Sequence, residues 1–527
     1  MTKLPSITIG LAGLLLALLC LWRLEGAREG LVFEDRLFDA TPATIIRPAA
    51  PAGPVPTVLI AHGFAGAKEL MEPFAVSLAR AGYITLSFDF EGHGRHPTAL
   101  PARITGEGGA ADRLIAQLGR MAAHARALEG ADGRLVLLGH SMATDLIANA
   151  ALQGIEGEVT VAVSLFSPDV TATSPRNMLI VTGSWEDGLT QEALRVTTLT
   201  AGEPAVENVT YGRFEDGTAR RTVFSQGVEH IGVLYDPAGL EAARDWLDAA
   251  FGRTAAPDRL PVDARGPAIA GLFAGLMAFG WGLARLLPQL SNGQNTGAGA
   301  PRGLFFALAF GPAVLTPPLA VLIPTGAMPL VLGDYLAVHF ALYGLLTAGA
   351  LWFFARRQRV AAPALTELTG RLALAGVGAG GFVIAAFAIT LDRYAFPFLP
   401  GADRLILVPV LAAALLPWFL ADEWLTRGRP RAPESPEATE TRRGSRLWAY
   451  ALTKIAFVLS LGLAVALDPP RLFFLLIVAP VILVFFAVYG LISQRLLRVS
   501  GHPFVAAVAL SLALAWSIAT SFPLVAG

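Results

Sequence analysis

Two kinds of hydrophobic patterning divide the chain. Over residues 30–260 short apolar runs alternate with stretches of helical period, separated by glycine- and proline-bearing turns. Beyond about Gly266 the runs lengthen, and charged residues retreat into the gaps between them. In the first region, residues 56–61, 83–90, 135–138, 159–166, 177–182 and 221–226 read as buried strands. Helical patterns lie between them, over about 68–81, 144–152 and, last, 237–251. Strand and helix in alternation predict an α/β fold, a parallel sheet with helices on both faces and its sites at the carboxyl ends of the strands. Residues 209–224 read as a β-hairpin turning at Asp216-Gly217. The hairpin stands ahead of the last strand, either over the site, against the second region, or as decoration.

A membrane-spanning helix needs about 20 apolar residues. Candidate spans are 5–22, 266–287, 303–325, 331–354, 371–391, 404–422, 447–467, 471–492 and 503–524. The expected organisation is an N-terminal anchor (1–24), an α/β domain (25–262) and a multi-spanning all-α domain (263–527) of about eight helices. Pro312, Pro317, Pro318, Pro324 and Pro329 predict a kinked or broken helix in that region. Residues 427–446, rich in proline and alternating charge, read as a disordered linker. The first span reads as an uncleaved anchor rather than a signal peptide, because Trp22-Arg23-Leu24-Glu25 follows it where a small-residue cleavage site would stand. Gly271 and Gly275 have the small-xxx-small spacing of helix packing.

Composition and charge sharpen this. At 527 residues and 54% hydrophobic, the chain is too long for one domain and too apolar for a soluble one. A net charge of −1 says nothing about nucleic acid, but there is no basic tract interleaved with aromatics, and no nucleic-acid partner is expected. One cysteine, Cys20, excludes a disulfide within the chain. Arginine greatly outnumbers lysine, which occurs only at 3, 68 and 454; with abundant alanine and glycine this suggests a GC-rich bacterial genome. Arginines cluster in the gaps holding Arg356, Arg357, Arg359 and Arg371, then Arg427 to Arg446, then Arg495 and Arg498. The positive-inside rule puts those gaps in the cytoplasm and the α/β domain outside it. Asp334, His339 and Lys454 fall within spans and read as structural. Asp392-Arg393 and Asp403-Arg404 flank one short outer loop, where pairing near the α/β domain is expected.

The chemistry-bearing motif is Gly139-His140-Ser141-Met142-Ala143, directly behind an apolar strand and ahead of a helical pattern. Small residues around a serine at a strand-to-helix turn mark a nucleophile elbow, where a strained backbone lifts the hydroxyl clear. His62-Gly63-Phe64-Ala65-Gly66 also follows a strand and suits an oxyanion hole, with backbone N–H groups of Phe64 and Met142 converging over Ser141. His230 lies between the last strand and the final helix, and Gly183-Ser184-Trp185-Glu186-Asp187-Gly188 follows the strand over 177–182.

On these motifs, and on the turn from Asp89 to Gly94, residues 30–253 resemble the α/β-hydrolase superfamily. Glu91 stands where the family's turn has arginine, and Ala143 where its elbow has a second glycine. The resemblance implies a triad of Ser141, an acid and His230, in that chain order. Family spacing selects Glu186 as the acid, and residue type favours Asp187; both stand as candidates. His62, His93 and His140 fall to supporting roles, and His96 and His124 to the surface.

The expectation is a membrane-anchored serine hydrolase of the bacterial inner membrane. It would cleave an ester or thioester of a lipid or acyl-linked substrate at the extracytoplasmic face, with no cofactor and no metal. Acyl transfer through the same acyl-enzyme, and a non-catalytic binding or transport protein, are the alternatives.

Overall fold

The computed structural model describes residues 4–51, 53–101, 108–254, 260–290, 297–361, 369–427 and 437–526. Helix α1 (Leu4–Gly26) leads into strands β1 (Leu31–Phe38) and β2 (Thr41–Pro48). There follow β3 (Val55–Ala61), α2 (Glu72–Arg80), β4 (Ile84–Phe88), α3 (Ala110–Arg126), β5 (Ala131–His140) and α4 (Met142–Leu152). The α/β region closes with β6 (Val159–Val163), β7 (Met178–Gly183), α5 (Asp187–Ala201), β8 (Arg220–Ser225) and α6 (Pro237–Ala250).

The eight strands form one sheet in the order β1-β2-β4-β3-β5-β6-β7-β8. From β4 to β8 all neighbours are parallel, as the alternation of strands and helices predicts. The β1–β2 hairpin adds an antiparallel edge that the apolar pattern does not reveal. Glu34, Asp35 and Arg36 lie within β1, and such charges suit an edge strand that must not pair further. Along β3, Val58 and Ile60 face a core built with α2 and α6, while Leu59 and Ala61 face one built with α3 and α4. All four are buried, and each of the three larger ones stabilises the fold by roughly 1.5–3 kcal/mol.

The segment expected as a hairpin over 209–224 forms a single antiparallel bridge, Tyr211 to Arg220. Its turn docks at the amino-terminal end of β7: Asn177 donates its N–H to Gly217 O (2.9 Å) and its side-chain amide to Phe214 O (3.1 Å). The site lies at the other end of the strands, so the segment covers neither the site nor the membrane half.

The second half comprises α7 (Gly266–Leu283), α8 (Arg302–Val321), α9 (Gly333–Arg356), α10 (Gly370–Leu391), α11 (Ala402–Leu405), α12 (Leu407–Arg427), α13 (Glu437–Leu467), α14 (Pro469–Leu472), α15 (Leu475–Ser500) and α16 (Phe504–Ser521). Among the described residues, nine helices are long and apolar enough to cross a membrane, matching the expected spans. The chain is therefore a multi-pass membrane protein. Helix α8 runs through Pro312, Pro317 and Pro318 and ends at Val321, ahead of Pro324 and Pro329. Of the linker expected at 427–446, residues 428–436 lie outside the described residues, and from Glu437 the chain is already helical.

Glycines set the closest helix contacts. A Cβ at Gly275 would lie 2.7 Å from Ala17 N and Gly13 O of α1, and one at Gly344 would lie 2.2 Å from Trp418 N of α12. Three intramembrane pairs join polar groups: His339 with Ser460 Oγ (3.1 Å), Lys454 with Asp422, and Glu423 with Ser493 Oγ (2.5 Å). Lys454 is buried rather than snorkelling, because Asp422 and the rings of Tyr450 and Trp418 surround it.

Hydrogen bonds sort the helix ends into two layers. Ala298, Ala361 and Trp424 bond to one another at one end, where Leu290 N also bonds Ser500 O (2.7 Å). The α/β domain docks on the other end. There Arg95 pairs with Glu69 (2.5 Å) and with Asp392 (2.8 Å), and Arg393 with Glu25 (3.1 Å). The expected Asp392–Arg393 and Asp403–Arg404 cluster thus pairs with the α/β domain and α1, not within itself. Arg404 is buried, and donates to the carbonyls of Ala519 (2.9 Å), Phe522 (2.7 Å) and Gly92 (3.1 Å). The C-terminal tail completes the joint: Leu524 N donates to Gly92 O (2.7 Å), Leu100 N to Leu524 O (2.9 Å), and Val525 N to Pro329 O (3.2 Å).

Candidate active site

Ser141 sits at the tip of β5, where the sheet hands over to α4, with φ at +52°. A non-glycine residue held in this region costs on the order of 1–3 kcal/mol, which surrounding contacts must offset. They are present here. Thr144 closes the first turn of α4 by donating N–H (2.8 Å) and Oγ1–H (2.7 Å) to Ser141 O, while Ser141 N donates to Val163 O (2.9 Å). A Cβ at Gly139 would lie 2.6 Å from Ile147 Cδ1, and Ala143 is fully buried beneath the turn. These two contacts give the steric reason for the small-x-Ser-x-small pattern.

His230 follows β8 and reaches Ser141 Oγ with Nε2 at 2.9 Å. Its Nδ1 stands 2.5 Å from Glu186 Oε1, so a proton on Nδ1 leaves Nε2 as the acceptor facing the serine. The other oxygen of Glu186 accepts from Ser164 Oγ–H and from Gly183 N–H, both at 2.8 Å. Asp187 is exposed in the first turn of α5 and makes no contact with His230. Of the two candidate acids, it is Glu186 that meets His230 in the structure. Asp187 occupies a position where the helix dipole favours an acid.

The acid loop and the histidine loop are stitched together. Ser184 N donates to Ser225 O (2.9 Å), Gly227 N to Ser184 Oγ (2.9 Å) and Trp185 N to Val228 O (3.2 Å). A Cβ at Gly183 would lie 2.5 Å from Val228 O, so the approach requires glycine. His140 Nε2 donates to His230 O (3.0 Å), fixing the base's backbone from beneath.

The loop after β3 lies against the elbow: a Cβ at Gly63 would meet Ser141 Cβ at 3.0 Å. Gly66 N bonds Gly63 O (3.0 Å), with Ala65 at φ +54°. His62 holds this turn, Nδ1 donating to Gly63 O (2.8 Å) and Nε2 accepting from Phe90 N (3.1 Å). Burial lowers the pKa of His62 to about 4, so the neutral tautomer these bonds need is the stable form. The amides of Phe64 and Met142 have no acceptor among the described residues; Met142 directly follows Ser141, and Phe64 follows Gly63, which packs against Ser141. Burial likewise lowers His93 and His140 to about 3. His96, expected at the surface, is buried beside Thr41 Oγ1 (3.3 Å). Glu91, the departure from the family's arginine, turns to α3 and pairs with Arg113 (2.6 Å).

Sequence reading missed Ser164, which carries no motif, and Phe474. The Phe474 ring, ahead of α15, stacks on Phe64 with centroids 4.3 Å apart and planes at 21°. Large apolar side chains stand exposed beside the relay, namely Phe166, Trp185 and Ile231. Among the described residues no group of three His, Cys, Asp or Glu side chains is arranged to hold a metal ion.

Residues 52–197 match the family described as serine aminopeptidase, S33, a family of serine hydrolases. No curated protein matches the chain in sequence. Solved structures similar to the α/β region include TT1662 from Thermus thermophilus, 17% identical with a TM-score of 0.31, covering 42% of this chain and 99% of that one. A bacterial heroin esterase is 17% identical with a TM-score of 0.30, over 42% of this chain and 84% of its own. A membrane phospholipase A described as a bacterial virulence factor is 14% identical with a TM-score of 0.31, over 47% and 96%. The family match over residues 52–197, together with the parallel sheet, makes the α/β region a serine hydrolase domain, joined to a multi-pass helical region.

Proposed function

We propose that this serine hydrolase domain cleaves an ester or thioester bond of a lipid or lipid-linked acyl substrate, at the extracytoplasmic face of a bacterial inner membrane. The observation that carries the reading is the hydrogen-bonded relay from Ser141 Oγ through His230 to Glu186. His230 Nε2 takes the proton as Ser141 Oγ attacks the acyl carbonyl, and Glu186 stabilises the imidazolium that results. The carbonyl oxygen, now an anion, is received by the amides of Phe64 and Met142; each such donor contributes about 10²–10³ in rate. His230 then protonates the leaving alkoxide or thiolate. Water, deprotonated by the same imidazole, releases the acid and restores Ser141.

Location supports the substrate class. The domain docks by its site-bearing end, through Phe64, Gly92, Arg95 and Leu100, and the exposed apolar side chains of Phe166, Trp185 and Ile231 come from the loops that carry Ser164, Glu186 and His230. The orientation rests on the arginines at the far layer of helix ends, among them Arg356, Arg357 and Arg498.

The test is hydrolysis by the full chain in lipid nanodiscs, comparing wild type with Ser141→Ala on a short p-nitrophenyl ester and on phospholipid. An activity that survives Ser141→Ala refutes the mechanism, and activity on the short ester alone refutes the lipid substrate. Alkaline phosphatase fused behind Ala526 is active if that end is extracytoplasmic, and inactivity overturns the orientation.

A further inference from the structure

We infer that Phe474, a residue of the membrane half, is a positioning residue for the oxyanion hole, so that the hydrolase works faster while docked on its membrane helices. The inference rests on the serine hydrolase reading above and adds to it a dependence on the membrane half.

Phe64 occupies the corner of the turn Gly63–Gly66, and its amide is one of the two free donors beside Ser141. The carbonyl side of the Gly63–Phe64 peptide is held by His62 Nδ1 (2.8 Å) and Gly66 N (3.0 Å), both donating to Gly63 O. The Phe64 ring braces the same unit from its other side. Phe474 covers one face of the ring, and the edge contact with His93 (centroids 5.9 Å, planes at 82°) holds another side. Both walls are anchored in the membrane half. Phe474 stands between Leu472 and Leu475, each buried in the helical core. His93 follows Gly92, whose carbonyl accepts from both Arg404 Nη2 (3.1 Å) and Leu524 N (2.7 Å). A donor must lie about 2.7–3.1 Å from the developing anion to stabilise it, so a small rotation of the Phe64 peptide removes its contribution. An aromatic pair of this geometry is strong enough to bias that rotation about three- to tenfold.

The experiment measures kcat, KM and the fluorophosphonate labelling rate of the full chain with a soluble short-chain ester. Phe474→Ala should lower kcat and the labelling rate about three- to tenfold with KM unchanged within about twofold. Phe474→Tyr, which keeps the stack, should retain wild-type rates. In a Phe64→Ala background, which keeps the amide and removes the ring, Phe474→Ala should have no further effect.

Wild-type kcat in Phe474→Ala overturns the inference, as does a loss confined to KM, an equal loss in Phe474→Tyr, or additive losses in the double variant. If Phe474→Ala does not fold, Phe474→Tyr and Phe474→Leu with the Phe64→Ala cycle decide the matter. Ser141→Ala separates the two readings: label persisting there removes the hydrolase mechanism itself, whereas label lost there with Phe474→Ala unaffected removes only the role of Phe474.

Discussion

Replacing Glu186 by glutamine alters one atom and tests the relay at its least exposed member. The Glu186 side chain is 7% exposed, and its two oxygens accept from His230 Nδ1, Ser164 Oγ and Gly183 N. A glutamine has one acceptor oxygen. If that oxygen faces Ser164 and Gly183, the NH₂ group faces His230 and favours the tautomer with the proton on Nε2, which cannot accept from Ser141. If it faces His230, two donors meet the NH₂ group instead. Either arrangement costs the relay its base or its anchor. Loss of the correct tautomer together with the negative charge in such a triad lowers kcat by up to about 10⁴-fold, so a fall of about 10³–10⁴ is expected. That corresponds to roughly 4–5.5 kcal/mol at about 1.36 kcal/mol per decade. Asp187→Asn should leave kcat within about twofold, since Asp187 is exposed and acts only on its helix end. The assay is initial-rate hydrolysis of a short p-nitrophenyl ester, with the melting midpoint of each variant as a control for folding. A Glu186→Gln enzyme within tenfold of wild type, or an equal loss in Asp187→Asn, refutes the reasoning.

Ser164→Ala removes one of the two donors that hold the acid and should lower kcat about tenfold, read in the same assay, with KM unchanged. Acid should destabilise the domain through its buried histidines. His62, His93 and His140 bind protons near pH 6.5 when unfolded but only near 4, 3 and 3 when folded, so the unfolded state holds more protons in that window and stability falls as pH drops from about 6.5 towards 4. The slope approaches about 1.4 kcal/mol per pH unit for each histidine, and a melting midpoint equal at pH 7 and pH 5 contradicts it. Arg404→Met should speed amide exchange in residues 92–100 and 519–526 while leaving β3 and β5 protected, because its guanidinium bridges those two segments. Gly344→Ala should destabilise the helical half by at least about 2 kcal/mol, visible as a lower midpoint in detergent, since its Cβ would lie 2.2 Å from the backbone of Trp418.

What the sequence disclosed follows from how locally each feature is determined. The elbow is a steric statement about neighbours in sequence, so Gly139, Ser141 and Ala143 announce it. The strand order places His230 and Glu186 at the same end of the sheet as Ser141, because β5, β7 and β8 run in one direction and finish on one side. Glu186 against Asp187 was not decidable from residue type, since both are acids in one loop and only the direction of the backbone separates them. The β1–β2 edge was hidden because an edge strand carrying Glu34, Asp35 and Arg36 has no apolar run. His96 was misplaced because its burial depends on Thr41, distant in sequence. Nor does composition reveal the pairing of Lys454 with Asp422 or the stacking of Phe474 on Phe64, which arise only from the crossing of separate elements. Helical spans, by contrast, were legible throughout, since length and apolarity are properties of a single segment.

The central claim is that Ser141 is an activated nucleophile. It is tested most directly by treating membranes containing the full chain with a fluorophosphonate probe and locating the adduct by mass spectrometry. The account predicts a stoichiometric adduct on Ser141, absent in Ser141→Ala and strongly slowed in Glu186→Gln. Folded wild-type protein that takes no label, or label on another residue that persists in Ser141→Ala, would contradict it.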